Sequence, residues 1–219
     1  MAPTSIDGTE ITGATIDGQE VQEITVGGDV VFTAEQIIDD FEDGNINGWV
    51  SENVESIQFE NGHNGGTAVE LNTLGGSYPP TSRLITSELL PSSFSDGDIV
   101  EWYWKWDYDG KIRFTISDSN DNIQVEAQIR PNGLDGDHFL SSSTETEDSN
   151  GEANSNTWYR NELQLQTNSI TWEMYDLNDN LQWSNTVSND GFDDFDRLVL
   201  SCSRNYSMDW AMFDDIEVL

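Results

Sequence analysis

The sequence predicts an all-β fold, a β-sandwich preceded by a small module of β-hairpins. Short runs of β-branched and aromatic residues recur along the chain, with Gly, Asp and Asn turn signals about every ten residues. No stretch of the main domain shows a convincing amphipathic helical period. The hydrophobic content is 35% of 219 residues, but aromatics make up 11%, and each buries a large area, so a packed core is within reach.

The first elements form a decaying repeat. Ser5-Ile6-Asp7-Gly8-Thr9-Glu10-Ile11 is followed by Thr15-Ile16-Asp17-Gly18-Gln19-Glu20-Val21 and then by Thr25-Val26-Gly27-Gly28-Asp29-Val30-Val31-Phe32. Each unit places β-formers on either side of an Asp-Gly or Gly-Gly turn, which suits hairpin turns that need positive φ. Such short ribbons are marginally stable alone and call for a partner, either copies of themselves or a larger assembly. Residues 1–34 are therefore read as an anchoring and oligomerisation module, 35–38 as a linker and 39–219 as the sandwich.

Ile38 to Trp49 opens the main domain as its expected first strand, with Asp43-Gly44 as a turn and Trp49 as a core anchor. The closing Phe213-Asp214-Asp215-Ile216-Glu217-Val218-Leu219 has a similar acidic, apolar-flanked composition, which suggests that the chain ends lie side by side. Ile57–Glu60 and Ala68–Asn72 read as strands around a Gly-rich loop, Tyr78-Pro79-Pro80 breaks the pattern, and Leu84–Leu90 is extended again. In Asp98–Asp107 the two-residue strand period puts Trp102, Trp104 and Trp106 on one face and Tyr103 and Lys105 on the other. The tryptophan row is assigned to the core. Tyr103 and Lys105 are surface candidates for ligand binding, because aromatic rings stack on sugar faces.

Two later segments share a pattern, Asp118-Ser119-Asn120-Asp121-Asn122 and Asp176-Leu177-Asn178-Asp179-Asn180. Both resemble calcium loops, but an EF-hand needs Gly at its sixth position and Glu at its twelfth. The sixth here is Ile123 or Leu181 and the twelfth Ile129 or Val187, so hairpin turns are expected. Residues 141–156 read as a polar low-complexity loop, after which strands return at 158–166, 169–175, 181–187, 197–203 and 210–218.

Composition narrows the function classes. Asp and Glu number 42 against 8 Lys and Arg, a formal net charge of −34. Self-repulsion on that scale destabilises a compact state in dilute buffer, whereas molar salt shortens the Debye length to about 3 Å. The acidity reads as adaptation to a hypersaline medium. No basic stripe runs along the sequence to neutralise phosphates, so nucleic acid is not an expected partner, nor is an anionic membrane surface. The single Cys202 excludes an internal disulfide and is expected in or near the core. No secretory signal or membrane-spanning apolar run is visible. His63 and His138 fall in segments that read as polar loops, without the spacing of a zinc site or a triad.

Several motifs together resemble the concanavalin A-like and laminin-G-like jelly rolls and related carbohydrate-binding modules. These are Phe41-Glu42-Asp43-Gly44 with Gly48-Trp49, Gly65-Gly66-Thr67-Ala68-Val69-Glu70-Leu71, the pair Thr157–Arg160 and Ile170–Asp176, and the closing Phe213–Val218. The resemblance covers residues 39–219 and implies a jelly-roll β-sandwich. In several such modules a structural Ca²⁺ joins the first and last strands, which would place Glu42 and Asp214 or Asp215 as ligands here, with carbonyls near Gly66 or Thr67. Hydrolases of this fold carry an E-x-D-x-(x)-E strand. The runs around Glu101, Glu162 and Glu173 lack those acids, so no enzyme activity is expected.

The Asp-Gly hairpin repeat, joined to such a domain in a very acidic chain, resembles virion proteins of tailed viruses of halophilic archaea. That resemblance implies a tail fibre, spike or turret component on the particle surface. Residues 1–34 would contact other virion proteins, the chain would form a homo-oligomer, a trimer or pentamer, and the jelly roll would touch a host-surface glycan or glycoprotein. The alternatives are a cellular secreted or surface carbohydrate-binding module of a halophilic archaeon and, third, a glycoside hydrolase of the same fold.

Overall fold

In the computed structural model, residues 5–6, 9–10, 15–16, 19–20, 23–26, 29–33, 36–73, 81–86, 94, 96–107, 111–132, 135–191, 195–203 and 210–219 are described. The expected proline break at 78–80 lies outside them. The repeat forms three antiparallel ribbons: β1 (Ser5–Ile6) with β2 (Thr9–Glu10), β3 (Thr15–Ile16) with β4 (Gln19–Glu20), and β5 (Glu23–Val26) with β6 (Asp29–Thr33).

The sandwich follows. Its strands are β7 (Gln36–Asp39), β8 (Trp49–Glu52), β9 (Val54–Asn61), β10 (Thr67–Thr73), β11 (Ser82–Thr86), β12 (Ile99–Trp106), β13 (Lys111–Ser117) and β14 (Ile123–Asn132). They continue with β15 (Asp135–Ser142), β16 (Thr146–Ala153), β17 (Tyr159–Gln166), β18 (Ser169–Tyr175), β19 (Leu181–Ser188), β20 (Arg197–Ser203) and β21 (Trp210–Val218). An eight-stranded sheet runs β19-β18-β17-β12-β21-β10-β9, with β7 also on β21, and a seven-stranded sheet runs β16-β15-β14-β13-β20-β11-β8. All pairings are antiparallel, and no described residue is helical.

Period-two burial shows why these segments pair as sheets with one face to the core. Ile112, Phe114 and Ile116 of β13 point inward at 0–1% exposure. Trp102 and Trp104 are fully buried and Trp106 nearly so, as the strand period requires. Trp102 of one sheet stacks on Phe114 of the other at 4.0 Å between ring centroids, and Trp104 meets Trp172 edge-on at 5.4 Å. Cys202 is buried, its thiol donating to the Leu71 carbonyl at 3.4 Å. The two Asp/Asn segments are hairpin turns: Asp118 Oδ1 accepts from the Asn120 and Asn122 amides, and Asp176 Oδ1 from the Asn178 and Asn180 amides.

Four expectations are corrected. The linker at 35–38 contributes to the sheet, since Gln36, Ile37 and Asp39 pair with Val218, Glu217 and Ile216. Ile38–Trp49 is not one strand: β7 ends at Asp39, residues 40–48 turn, and Trp49 begins β8 in the opposite sheet. The polar loop at 141–156 contains β16, which pairs with β15 at the sheet edge. An edge strand can be held by backbone hydrogen bonds and needs little apolar side chain, so composition conceals it. His138 lies on β15, fully buried against Trp183 at 4.8 Å and not in a polar loop.

Candidate functional site

Each sheet turns an outer face to solvent, and the two faces carry different charges. On the eight-stranded sheet, register aligns Glu217, Glu101, Glu162 and Glu173 across β21, β12, β17 and β18. Acids absent along each strand are thus supplied by neighbouring strands. Arg160 joins them: Nη1 donates to Glu101 Oε2 at 2.7 Å and to Glu162 Oε1, and Nη2 lies 3.2 Å from Asp179 Oδ1. Burial alone would lower the Arg160 pKa, but Glu101 and Glu162 outweigh it and hold the guanidinium above its ordinary value. Glu173 accepts from Gln164 at 2.9 Å and from the Tyr175 hydroxyl at 2.7 Å.

Tyr103 is on this face, as expected, but its half-buried ring is covered by His63, stacked 3.6 Å between centroids. Both line a cleft of about 280 Å³ with Asn64, Arg160, Asp176 and Asp179. Lys105 places its Nζ 6.0 Å from the Trp158 ring centroid and 5.6 Å from that of Trp210.

At the edge of the same face the chain ends meet. The first half of β21 pairs with β10 and the second half with β7. Asp214 and Asp215 stand where the neighbour changes, at a register shift against β12. Asp215 has φ +38°, and bulges of this kind re-aim side chains. The His63 amide and Nδ1–H both bond Asp214 Oδ2, at 3.0 and 2.8 Å, while His63 Nε2 is 3.7 Å from Asp215 Oδ2. Glu42 Oε1 accepts the Thr67 amide at 2.7 Å. A Cβ at Gly66 would overlap Glu42 Oε1 and one at Gly62 would overlap Asp214 Oδ2, so both glycines permit the close approach. Burial, then the neighbouring Asp214, push the Asp215 carboxyl up to about 6, with Asp40 and Glu42 adding to the repulsion.

The donor set expected for Ca²⁺ is therefore assembled in part. Asp214 and Asp215 are adjacent with His63, and Glu42 is near enough to act on Asp215 while its Oε1 is engaged by Thr67. Crowded hard carboxylate oxygens suit Ca²⁺. His63 was missed from sequence because nothing in its loop marks it as a partner of residues 151 positions away.

The seven-stranded sheet carries a cleft of about 350 Å³ on its outer face. Its floor follows from register. Gln128, Arg113, Ser201 and Arg83 form one row across β14, β13, β20 and β11, and Glu126, Thr115, Val199 and Ile85 form the next. Gln128, Ser201, Thr115, Val199 and Ile85 are buried although they point away from the core, so the larger neighbours overhang them as walls. Lys111 and Arg130 line the cleft beside the first row. None of these residues was singled out from the sequence as a ligand contact, because they come from separate strands and only pairing register unites them.

No family model and no curated protein matches the chain. Solved structures do. A legume lectin-like domain from Entamoeba histolytica superposes with a TM-score of 0.61 at 8% identity, covering 84% of this chain and 95% of that one. The carbohydrate esterase from Shiga toxin-encoding bacteriophage phi24B gives 0.59 at 12% identity, over 84% and 95%. The CBM2 module of the evolved Dit of Lactobacillus casei BL23 phage J-1 gives 0.56 at 9% identity, over 83% and 96%. At these identities the likeness is one of fold: the sandwich is a jelly roll of the lectin-like kind.

Proposed function

We propose that this chain is a non-catalytic glycan-binding jelly roll, carried on the surface of a halophilic archaeal virus particle as part of a fibre, spike or turret. The observation that carries the binding role is the cleft on the seven-stranded sheet, a preformed trough with a partly apolar floor and polar walls, of a volume that lies within the range of small-ligand sites. The lectin-like fold and the phage origin of two structural neighbours support the setting. On the opposite face Arg160 bridges Glu101 and Glu162, which favours a structural use of those acids over acid–base chemistry.

A glycan array probed with the full chain in molar and in dilute salt tests this. Binding to a defined set of saccharides is expected, and silence across acidic and neutral sugars in both media would remove the binding role. The ribbons of residues 1–34 serve as the anchor in this reading, and sedimentation of the full chain as a monomer in molar salt, unchanged by their removal, would contradict that. Calcium held by Glu42, Asp214 and Asp215 would neutralise the crowded acids and tie the last strand to the turn that follows β7.

A further inference from the structure

The cleft on the seven-stranded sheet has the wrong charge for this protein. The chain holds eight Lys and Arg against 42 Asp and Glu, yet four of the eight, Arg83, Lys111, Arg113 and Arg130, line this one cleft. Its wall acids are already claimed: Glu126 Oε2 lies 3.7 Å from Arg113 Nε, and Asp121 pairs with Arg197 at 3.2 Å. Among the described residues, neither Arg83 nor Lys111 has an ion-pair partner. Arg130 is laid flat, its guanidinium carbon 3.9 Å from the Phe139 ring centroid and its Nε bonded to Gln128 at 2.7 Å. We infer that the cleft takes an acidic saccharide, a chain bearing carboxylate or sulfate groups, with those groups on Arg83, Lys111 and Arg113 and the sugar faces on Val199 and Ile85.

Like charges held together at partial burial, with acids abundant everywhere else, are an arrangement that an anionic ligand relieves. Burial comes first in holding both Lys111 and Arg113 below their ordinary pKa values; at Lys111 the neighbouring Arg113 and Arg130 add to it, and at Arg113 Glu126 opposes it while Arg130 and Arg83 add to it. Strand geometry spaces Lys111 and Arg113, two residues apart, by about 7 Å, and Arg113 and Arg83, two strands apart, by about 10 Å. Arginine presents a planar fork that matches carboxylate and sulfate oxygens with two parallel bonds. A nucleic-acid strand would carry its phosphates beyond the rim onto a surface dominated by acids, whereas a saccharide with one acid per ring needs favourable contact only inside the cleft. Salt has a double role: it screens repulsion between the net charge and an incoming polyanion, while contact pairs are screened less.

This inference rests on the glycan-binding reading and specifies its ligand. The test is calorimetric titration of the full chain with an oligogalacturonate, with the same oligomer after reduction of its carboxyls to alcohols, with a sulfated galactan oligosaccharide, and with oligothymidylate of matched charge. Binding of either or both acidic saccharides, at least tenfold tighter than the reduced oligomer and weakened at least tenfold by Arg83→Gln or by Arg113→Gln, is the expected result; Arg83 is exposed, so the first variant keeps the fold. The two acidic arms separate carboxylate from sulfate. Equal binding of the reduced oligomer, untouched by the variants, would overturn the acidic class and leave glycan binding standing. Oligothymidylate binding as tight as the acidic sugars would overturn the saccharide. Loss of self-association in the variants, with no saccharide bound, would make the occupant an acidic surface of a second copy. No binding here and none on the array would end both readings.

Discussion

Arg160 and Arg113 sit on opposite faces of one sandwich with nearly equal cover, their side chains 16% and 18% exposed, and differ entirely in company. Arg160 is enclosed by Glu101, Glu162 and Asp179. Arg113 has Glu126 at 3.7 Å and two further arginines acting on it. In charge the first arginine is saturated by the protein's own acids, although its Nε finds no partner among the described residues, whereas the second shares its cleft with other cations. In so acidic a chain the saturated state is the easy one to reach, and the unsaturated one is the basis for proposing a ligand on that face.

The largest expected effect comes from breaking the saturated side. Arg160→Gln leaves Glu101 and Glu162 adjacent and unpaired, and should cost about 3 kcal/mol in urea unfolding, near the low end for severing a buried pair. The matching Arg113→Gln should change stability by at most about 1 kcal/mol, because its only ion-pair partner among the described residues is 3.7 Å away and removing the charge relieves its burial and its repulsion by Arg130 and Arg83. Similar losses in both would erase the contrast.

The proposed calcium ion would sharpen the contrast further. At a hundredfold excess over its dissociation constant, an ion bound at the chain-end site would add about 2.7 kcal/mol, which is roughly 5–10 °C in melting temperature for a domain of this size. Chelator should lower the melting temperature by that amount in the full chain and leave Glu42→Gln unaffected. If chelator has no effect on the full chain, the acids there are ordinary surface charge.

A pH-dependent effect, spread over the acid range, lies at His138, buried against Trp172 and Trp183. Burial pushes the His138 ring down from 6.5 to about 4, and neither ring nitrogen finds a partner among the described residues. The unfolded chain therefore takes up the proton first. The folded state keeps its full advantage above about pH 6.5 and loses it as pH falls toward 4, by up to about 1.4 kcal/mol per pH unit. His138→Phe should flatten that part of the melting-temperature profile, and an unchanged profile would assign the acid lability to other groups.

Much of the fold was legible because it rests on local chemistry. Asp118 and Asp176 build their turns from bonds within four residues, and the tryptophans of β12 alternate inward by strand geometry alone. The residues that line the proposed ligand cleft were not legible for the converse reason. Arg83, Arg113 and Arg130 lie on three strands, and only the order β14-β13-β20-β11 makes them neighbours. The glutamate row across β21, β12, β17 and β18 was hidden in the same way. Asp214 and Asp215 stood out through their closing motif, but the acid-holding role of His63 needed the fold.

The proposed ligand site is the cation-lined face, and not the acid-lined one. The direct measurement is to titrate the strongest saccharide from the array into two variants, Arg113→Gln and Tyr103→Ala. A loss of at least tenfold in the first with less than about twofold in the second is the predicted result, tenfold corresponding to about 1.4 kcal/mol. Loss in Tyr103→Ala with Arg113→Gln unaffected would contradict the account and place the ligand on the opposite face.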